Sequence, residues 1–212
     1  MIGRRKLASI AFAALVAAGS CALTSKSKPL EIRYFTPETP RDPDPGAKPV
    51  ATQTLDVDLR LGRIRAASYL RDKIVYRDAT RELGFYERLR WTEEPDAYVE
   101  RMLTRALFEQ RGIRQRVTGS GLTLDVDIAA FEEWRAPRRA ARVELIWRLR
   151  DEKLVWVQRT VTAERPIEAD RSGSGTAIAQ AMAAALADAL ERIVADVVAA
   201  MAAGAPGGHQ SE

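Results

Sequence analysis

The 212-residue chain holds one cysteine, Cys21, and one histidine, His209, which is fourth from the end. A single thiol excludes an internal disulfide. A lone histidine in a tail excludes a Ser–His–Asp triad, a Cys–His pair and a histidine metal cluster. Neither a phosphate-cradling Walker run nor a dinucleotide fingerprint occurs. Gly119-Ser120-Gly121 and Gly173-Ser174-Gly175 do not match the strained Gly-x-Ser-x-Gly elbow, and they read as turns. Asp56 with Asp58 and Asp125 with Asp127 are two apart on strands, so each pair faces one way, onto a solvated sheet face. A metal or acid–base site needs ligands converging from elsewhere. No catalytic residue, metal or cofactor is expected, and the chain is not expected to be an enzyme. A surplus of charge of one sign is also lacking. The first twenty residues carry three cations (Arg4, Arg5, Lys6) and no acid, and without them the formal charge falls from +4 to +1. That excludes the basic surplus of a nucleic-acid binder.

What is present begins with Cys21. A basic start, an apolar stretch from Leu7 to Ala18 and Gly19-Ser20 before the cysteine form a lipoprotein signal, expected to be removed as residues 1–20 with lipid attached to Cys21. Ala18 departs from the usual leucine at that position. The apolar stretch is too short to span a hydrocarbon core of about 30 Å. Residues 21–54 read as a lipidated tether with a small strand at Ile32–Phe35 and a loop with prolines at 37, 40, 43, 45 and 49. Ala22 is not the aspartate that retains enteric lipoproteins in the inner membrane, which leans toward the outer membrane. From Cys21 to Glu31 the chain reaches at most ~35 Å, so the domain works close to its membrane.

Residues 55–203 read as one α+β domain: a mostly antiparallel sheet with two principal helices on one face. Leu55 to Leu61 alternates apolar and polar, and after Gly62 the phase shifts to Ile64 and Ala66, which predicts a bulge. Lys73–Arg77 and Leu83–Tyr86 are short strands. A helix begins near Pro95 and ends at Gly112. A short strand at Arg114–Thr118 precedes a meander of three: Leu122 to Ile128, Val143 to Leu149, and Leu154 to Ala163. The last is the most continuously apolar, which predicts a central place. A long Ala-rich helix from Thr176 to Ala203 carries Ile178, Met182, Leu186, Leu190, Val194 and Val198 on one line, a core stripe that leaves homo-oligomerisation open. Residues 204–212 read as a disordered tail. Tyr69, Tyr76, Phe85, Tyr86, Trp91 and Tyr98 crowd into thirty residues; most belong to a core, and any left exposed would form a contact patch.

Ala67-Ser68-Tyr69-Leu70, Ile74-Val75-Tyr76-Arg77, Tyr86 and Arg90-Trp91 with Pro95 beyond resemble, in order and spacing, the ABC-type transport auxiliary lipoprotein family, which includes paraquat-inducible protein C. Phe35 departs from the aliphatic residue of the family's first strand. The resemblance implies a periplasm-facing lipoprotein, held to the membrane by its lipid. It would serve an ABC transporter with a mammalian-cell-entry-type subunit that carries phospholipid or related cargo, docking or stabilising the envelope-spanning assembly. It marks Tyr69, Tyr76, Arg77, Tyr86 and Trp91 as candidate motif and partner-contact residues. A second reading is an envelope-assembly or secretion-accessory lipoprotein that binds an outer-membrane protein.

Overall fold

The computed structural model describes residues 30–37, 58–168 and 175–203, and the fold lies within the unit Ile32–Glu212. Cys21, the signal, the proline-rich loop beyond Pro37, Asp56 and the C-terminal tail lie outside the described residues. Eight strands and two helices are described. The strands are β1 (Arg33–Phe35), β2 (Asp58–Ala66), β3 (Lys73–Arg77), β4 (Leu83–Trp91), β5 (Arg114–Gln115), β6 (Leu122–Trp134), β7 (Ala140–Arg150) and β8 (Val155–Pro166). The helices are α1 (Pro95–Thr104), continued by a π-helical turn at Arg105–Gln110, and α2 (Gly175–Ala202).

The spine is β6. Along one edge β7 runs antiparallel from Thr123↔Arg150 to Trp134↔Ala140, and β8 adds antiparallel outside β7. Two strands share the other edge end to end. β2 pairs parallel with the first half of β6, from Leu59↔Leu122 to Ala66↔Ile128, and β3 pairs parallel with its end, from Val75↔Glu132 to Arg77↔Trp134. A loop over residues 67–72 joins them, anchored where Ala67 N–H donates to Ile128 C=O (3.0 Å). β4 lies antiparallel to β3, and the three-residue β1 pairs parallel with β4. The sheet is therefore mixed, with its longest pairings antiparallel.

Burial follows the period-two pattern. Ala141, Val143, Leu145, Trp147 and Leu149 of β7 are fully buried, while the residues between them are partly open on the other face. On the buried face lies α2, whose Ile178, Met182, Leu186, Ile193 and Val197 are inaccessible. Alanines on both partners, Ala185 and Ala189 on the helix and Ala141 and Ala163 on the sheet, fill the same core. α1 adds Tyr98, Val99 and Leu103 to that core, and it starts as its sequence dictates, with Pro95 in the first turn and Asp96 beside it. The Tyr98 hydroxyl, though inside, accepts from Glu93 N–H at 3.0 Å and pairs with Thr92 Oγ1 at 2.6 Å. Gly112 takes a positive φ of 63° and ends the helical segment. No helix among the described residues is long and apolar enough to cross a membrane.

The bulge falls where the phase shift predicts it, between Leu61 and Ile64. There the Arg63 N–H donates to Asp125 Oδ1 (2.7 Å), and the carboxylate occupies the space a side chain at Gly62 would need. Two expectations change. The strand expected over Arg114–Thr118 shrinks to Arg114–Gln115. β8 is not central: it pairs only with β7. Its apolar start, Leu154–Trp156, is exposed at a hairpin tip, so the continuous apolar run reflects an uncovered surface and not burial on two faces.

Candidate functional site

The motif residues meet at the C-terminal end of β6. After an irregularity between Ile128 and Ala130, Phe131 and Glu133 lie opposite the buried Val143 and Ala141, so they face the helices. Glu132 and Trp134 face the opposite side. Both glutamates are nevertheless inside, at 1% and 0% exposure. An ionised carboxylate survives such a place only when its oxygens are paired.

On the helix side Glu133 accepts from the Tyr86 hydroxyl and from Arg139 Nε, with Arg135 Nε at 3.8 Å. The Arg135 guanidinium lies 3.4 Å from the centre of the Tyr76 ring and 5.1 Å from that of Tyr86. The two rings meet edge to face at 5.3 Å. Tyr76 comes this close because Gly84 opposite has no side chain, and a Cβ there would run into its ring. On the other side Arg77 grips Glu132 with both arms of its fork, Nε at 2.7 Å and Nη2 at 3.0 Å. Trp134 Nε1 donates to the same carboxylate at 2.8 Å. Arg142 covers the Trp134 ring at 4.6 Å and reaches Glu144 and Glu164 at 2.7 Å each. The Tyr69 hydroxyl donates to Ala129 C=O at 2.8 Å. Trp91, expected among the contact residues, is 1% exposed and packs edge to face on Phe131 at 5.5 Å. Buried in the core, it offers no surface to a partner.

Burial pushes the Tyr86 hydroxyl above the ordinary tyrosine range, and the carboxylate of Glu133 adds to the effect. Burial, then the charge of Glu132, raises Tyr69 in the same way. Arg77 is raised by its hydrogen bonds to Glu132. Both tyrosines are thus neutral donors near pH 7. Glu132, Glu133, Arg77, Tyr69 and Tyr86 each have a hydrogen-bond partner, and with the Tyr76 and Arg135 ring contacts they fasten β3, β4, β6 and the β6–β7 turn. Chemically the arrangement is a lock between elements. Glu132, Glu133, Arg135 and Arg139 are the members that motif reading missed. The signal was two adjacent acids between Phe131 and Trp134 at the end of a strand.

The N-terminal half of β6 carries a different feature. On the helix-free face Asp125 and Asp127 stand among Arg63, Arg65, Arg148 and Arg150 around a cleft of about 370 Å³. Arg150 Nε donates to Asp125 at 2.6 Å and Arg148 Nη1 to Asp127 at 2.7 Å. This is the solvated acidic face that the spacing predicts, with arginines across the strand. No group of three or more potential metal ligands occurs among the described residues. Between α1, its π turn and α2 runs a groove of about 320 Å³, floored by Met102, Ala106, Leu190 and Val194. The most exposed apolar side chains at this end of the sheet are Val117 (79%) and Leu154 (61%), with Val155 and Trp156 beside the latter.

A mixed sheet carries two helices on one face, is locked at one end by paired buried glutamates, and ends at the other in an exposed hairpin tip. The family model of the ABC-type transport auxiliary lipoprotein component matches residues 40–199, and the chain belongs to that family. Its coarse role comes with membership: a lipoprotein accessory to ABC-type transport. Among solved structures, a DUF330-family protein from Xanthomonas campestris is 22% identical. The match covers 80% of this chain and 97% of that one, with a TM-score of 0.66. An uncharacterized protein matches at 14% identity, 79% and 99% coverage and a TM-score of 0.60. A hypothetical protein from Chlamydia trachomatis matches at 10% identity, 70% and 99% coverage and a TM-score of 0.50. These likenesses show a shared fold. The comparison with curated proteins finds no match.

Proposed function

We propose that the protein is a non-enzymatic auxiliary subunit of an ABC transporter of the mammalian-cell-entry type. Lipid on Cys21 anchors it in the bacterial envelope, facing the periplasm and held to the outer membrane. Its task is to dock or stabilise the assembly that moves phospholipid or related cargo. The observation that carries this reading is the family match over residues 40–199 in a chain whose Cys21 follows a lipoprotein signal. The geometry supports it in one respect. The motif side chains Tyr69, Tyr76, Arg77 and Tyr86 are committed to holding the sheet together, so their chemistry serves the scaffold, and docking falls to surfaces elsewhere.

The test is co-purification from solubilised envelopes. Tagged protein is expected to retain the transporter's permease and mammalian-cell-entry-type subunit, and its deletion is expected to reproduce the envelope lipid defect of losing the transporter. Retention of an outer-membrane barrel or secretin with no transporter subunit would replace this reading with an envelope-assembly role.

A further inference from the structure

The outer edge of β8 is covered by α2 at one carbonyl and open toward the hairpin tip. Side chains at 158 and 164 point to the helix-free face, where Gln158 accepts from Arg148 (3.0 Å) and Glu164 from Arg142 (2.7 Å). Those at 159 and 165 point to α2, where Arg159 meets Asp196 at 3.1 Å and Arg165 meets Asp188. Arg192 of α2 reaches to the Thr162 C=O at 3.0 Å. A carbonyl held by a helix side chain is one turned away from β7. By the period of two, the N–H and C=O groups of Gln158 and Thr160 are turned outward as well. Among the described residues nothing pairs with them, and Val155, Trp156, Gln158, Arg159 and Thr160 are all exposed. Arg192 covers the Thr162 C=O, and an open stretch runs from there to the apolar tip.

We propose that this open half-edge, Trp156–Thr160, receives an extended acidic segment of a partner protein as an added strand of the sheet. The proposal rests on the docking role given above and names the surface and the kind of ligand. Unpaired edge groups are a template for strand addition. On the helix side Arg159 of the open stretch meets Asp196, and Arg192 at its end holds only a carbonyl, so two arginines stand against one carboxylate and an incoming strand with acidic side chains on that face is favoured. The same charges disfavour a second copy of this chain, because antiparallel self-pairing sets two Arg159 side chains opposite or adjacent on one face. Apolar side chains of the incoming strand find Trp156 and Val155 next to the joint.

The experiment uses the full lipoprotein in detergent with the transporter's purified mammalian-cell-entry-type subunit. Amide hydrogen exchange at Gln158 and Thr160 is expected to slow at least tenfold in the complex. Thr160→Pro is expected to weaken binding at least tenfold while leaving the melting temperature near wild type, since proline is tolerated where an edge N–H is unpaired. A complex that forms with unchanged exchange at both amides overturns the inference and leaves the docking role standing, and the exchange readout needs no variant to fold. Protection that appears with protein concentration alone, or on anionic phospholipid vesicles alone, assigns the edge to a second copy or to the membrane and overturns it too. Absence of any complex with the transporter subunit overturns the docking role, and this inference with it.

Discussion

The two halves of β6 carry the same chemistry in different surroundings. At its C-terminal end Glu132 and Glu133 are sealed from water and held by Arg77, Arg139 and two aromatic donors. At its N-terminal half Asp125 and Asp127 make equally short bonds to Arg150 and Arg148, yet the Asp127 and Arg148 side chains are each about a third exposed. Distance alone would rank them together. Solvent separates them: a screened pair contributes about 0–1 kcal/mol, whereas stripping one partner from a buried pair costs roughly 3–5 kcal/mol because a charge is stranded. The family-like motif sits at the costly end. Its spacing therefore records what the junction needs in order to close, and the exposed apolar side chains of Leu154, Val155 and Trp156 lie at the other end of the sheet.

The sharpest way to break this contrast is Arg77→Ala, which strands Glu132. It is expected to cost about 3 kcal/mol, read as a lower urea midpoint with an unchanged slope. Gly84→Ala is next, at about 2 kcal/mol, because the new methyl must displace the Tyr76 ring from beneath Arg135. Tyr86→Phe removes one donor from Glu133 and leaves the arginines, so roughly 1 kcal/mol is expected. The variant also probes alkali. Tyr86 is raised in the folded state, so the stability it contributes is fully present below its unfolded value near ~10 and lost as pH rises through the folded value. Tyr86→Phe should flatten that alkaline limb in denaturation measured against pH.

The exposed half should respond least and at the other end of the scale. Asp127→Ala is expected to cost less than about 1 kcal/mol, diminishing further in high salt. For Asp125, burial pushes the carboxyl up, but the Arg150 hydrogen bond and the Arg63 N–H more than offset it, and the net shift is downward. Its contribution is thus fully present above the unfolded carboxylate value near ~3.9 and lost as pH falls through the lower folded value. Asp125→Asn should lessen the acid dependence by that share without touching the alkaline limb.

Much of the scaffold was legible because it follows local periodicity. The alternation from Val143 to Leu149, the α2 stripe, the Gly62 bulge and the ends of the α1 segment at Pro95 and Gly112 each depend on neighbours in sequence. The parallel seating of β2 and β3 along one edge of β6 was not legible, since parallel partners are fixed by long-range closure. Nor was the edge position of β8: an apolar run looks alike whether a sheet or a partner covers it. At the junction the tyrosines and Arg77 could be named from their spacing, but the buried acids they serve could not, because acidic residues are read as surface unless their partners are known.

The most direct measurement is the intact mass of the protein extracted from bacterial envelopes. An N-terminus at Cys21 carrying acyl groups, with Cys21→Ser losing both the mass increment and the membrane association, is the predicted result. A membrane-bound protein that keeps residues 1–20, or whose Cys21 is unmodified, would contradict the lipid-anchored auxiliary role.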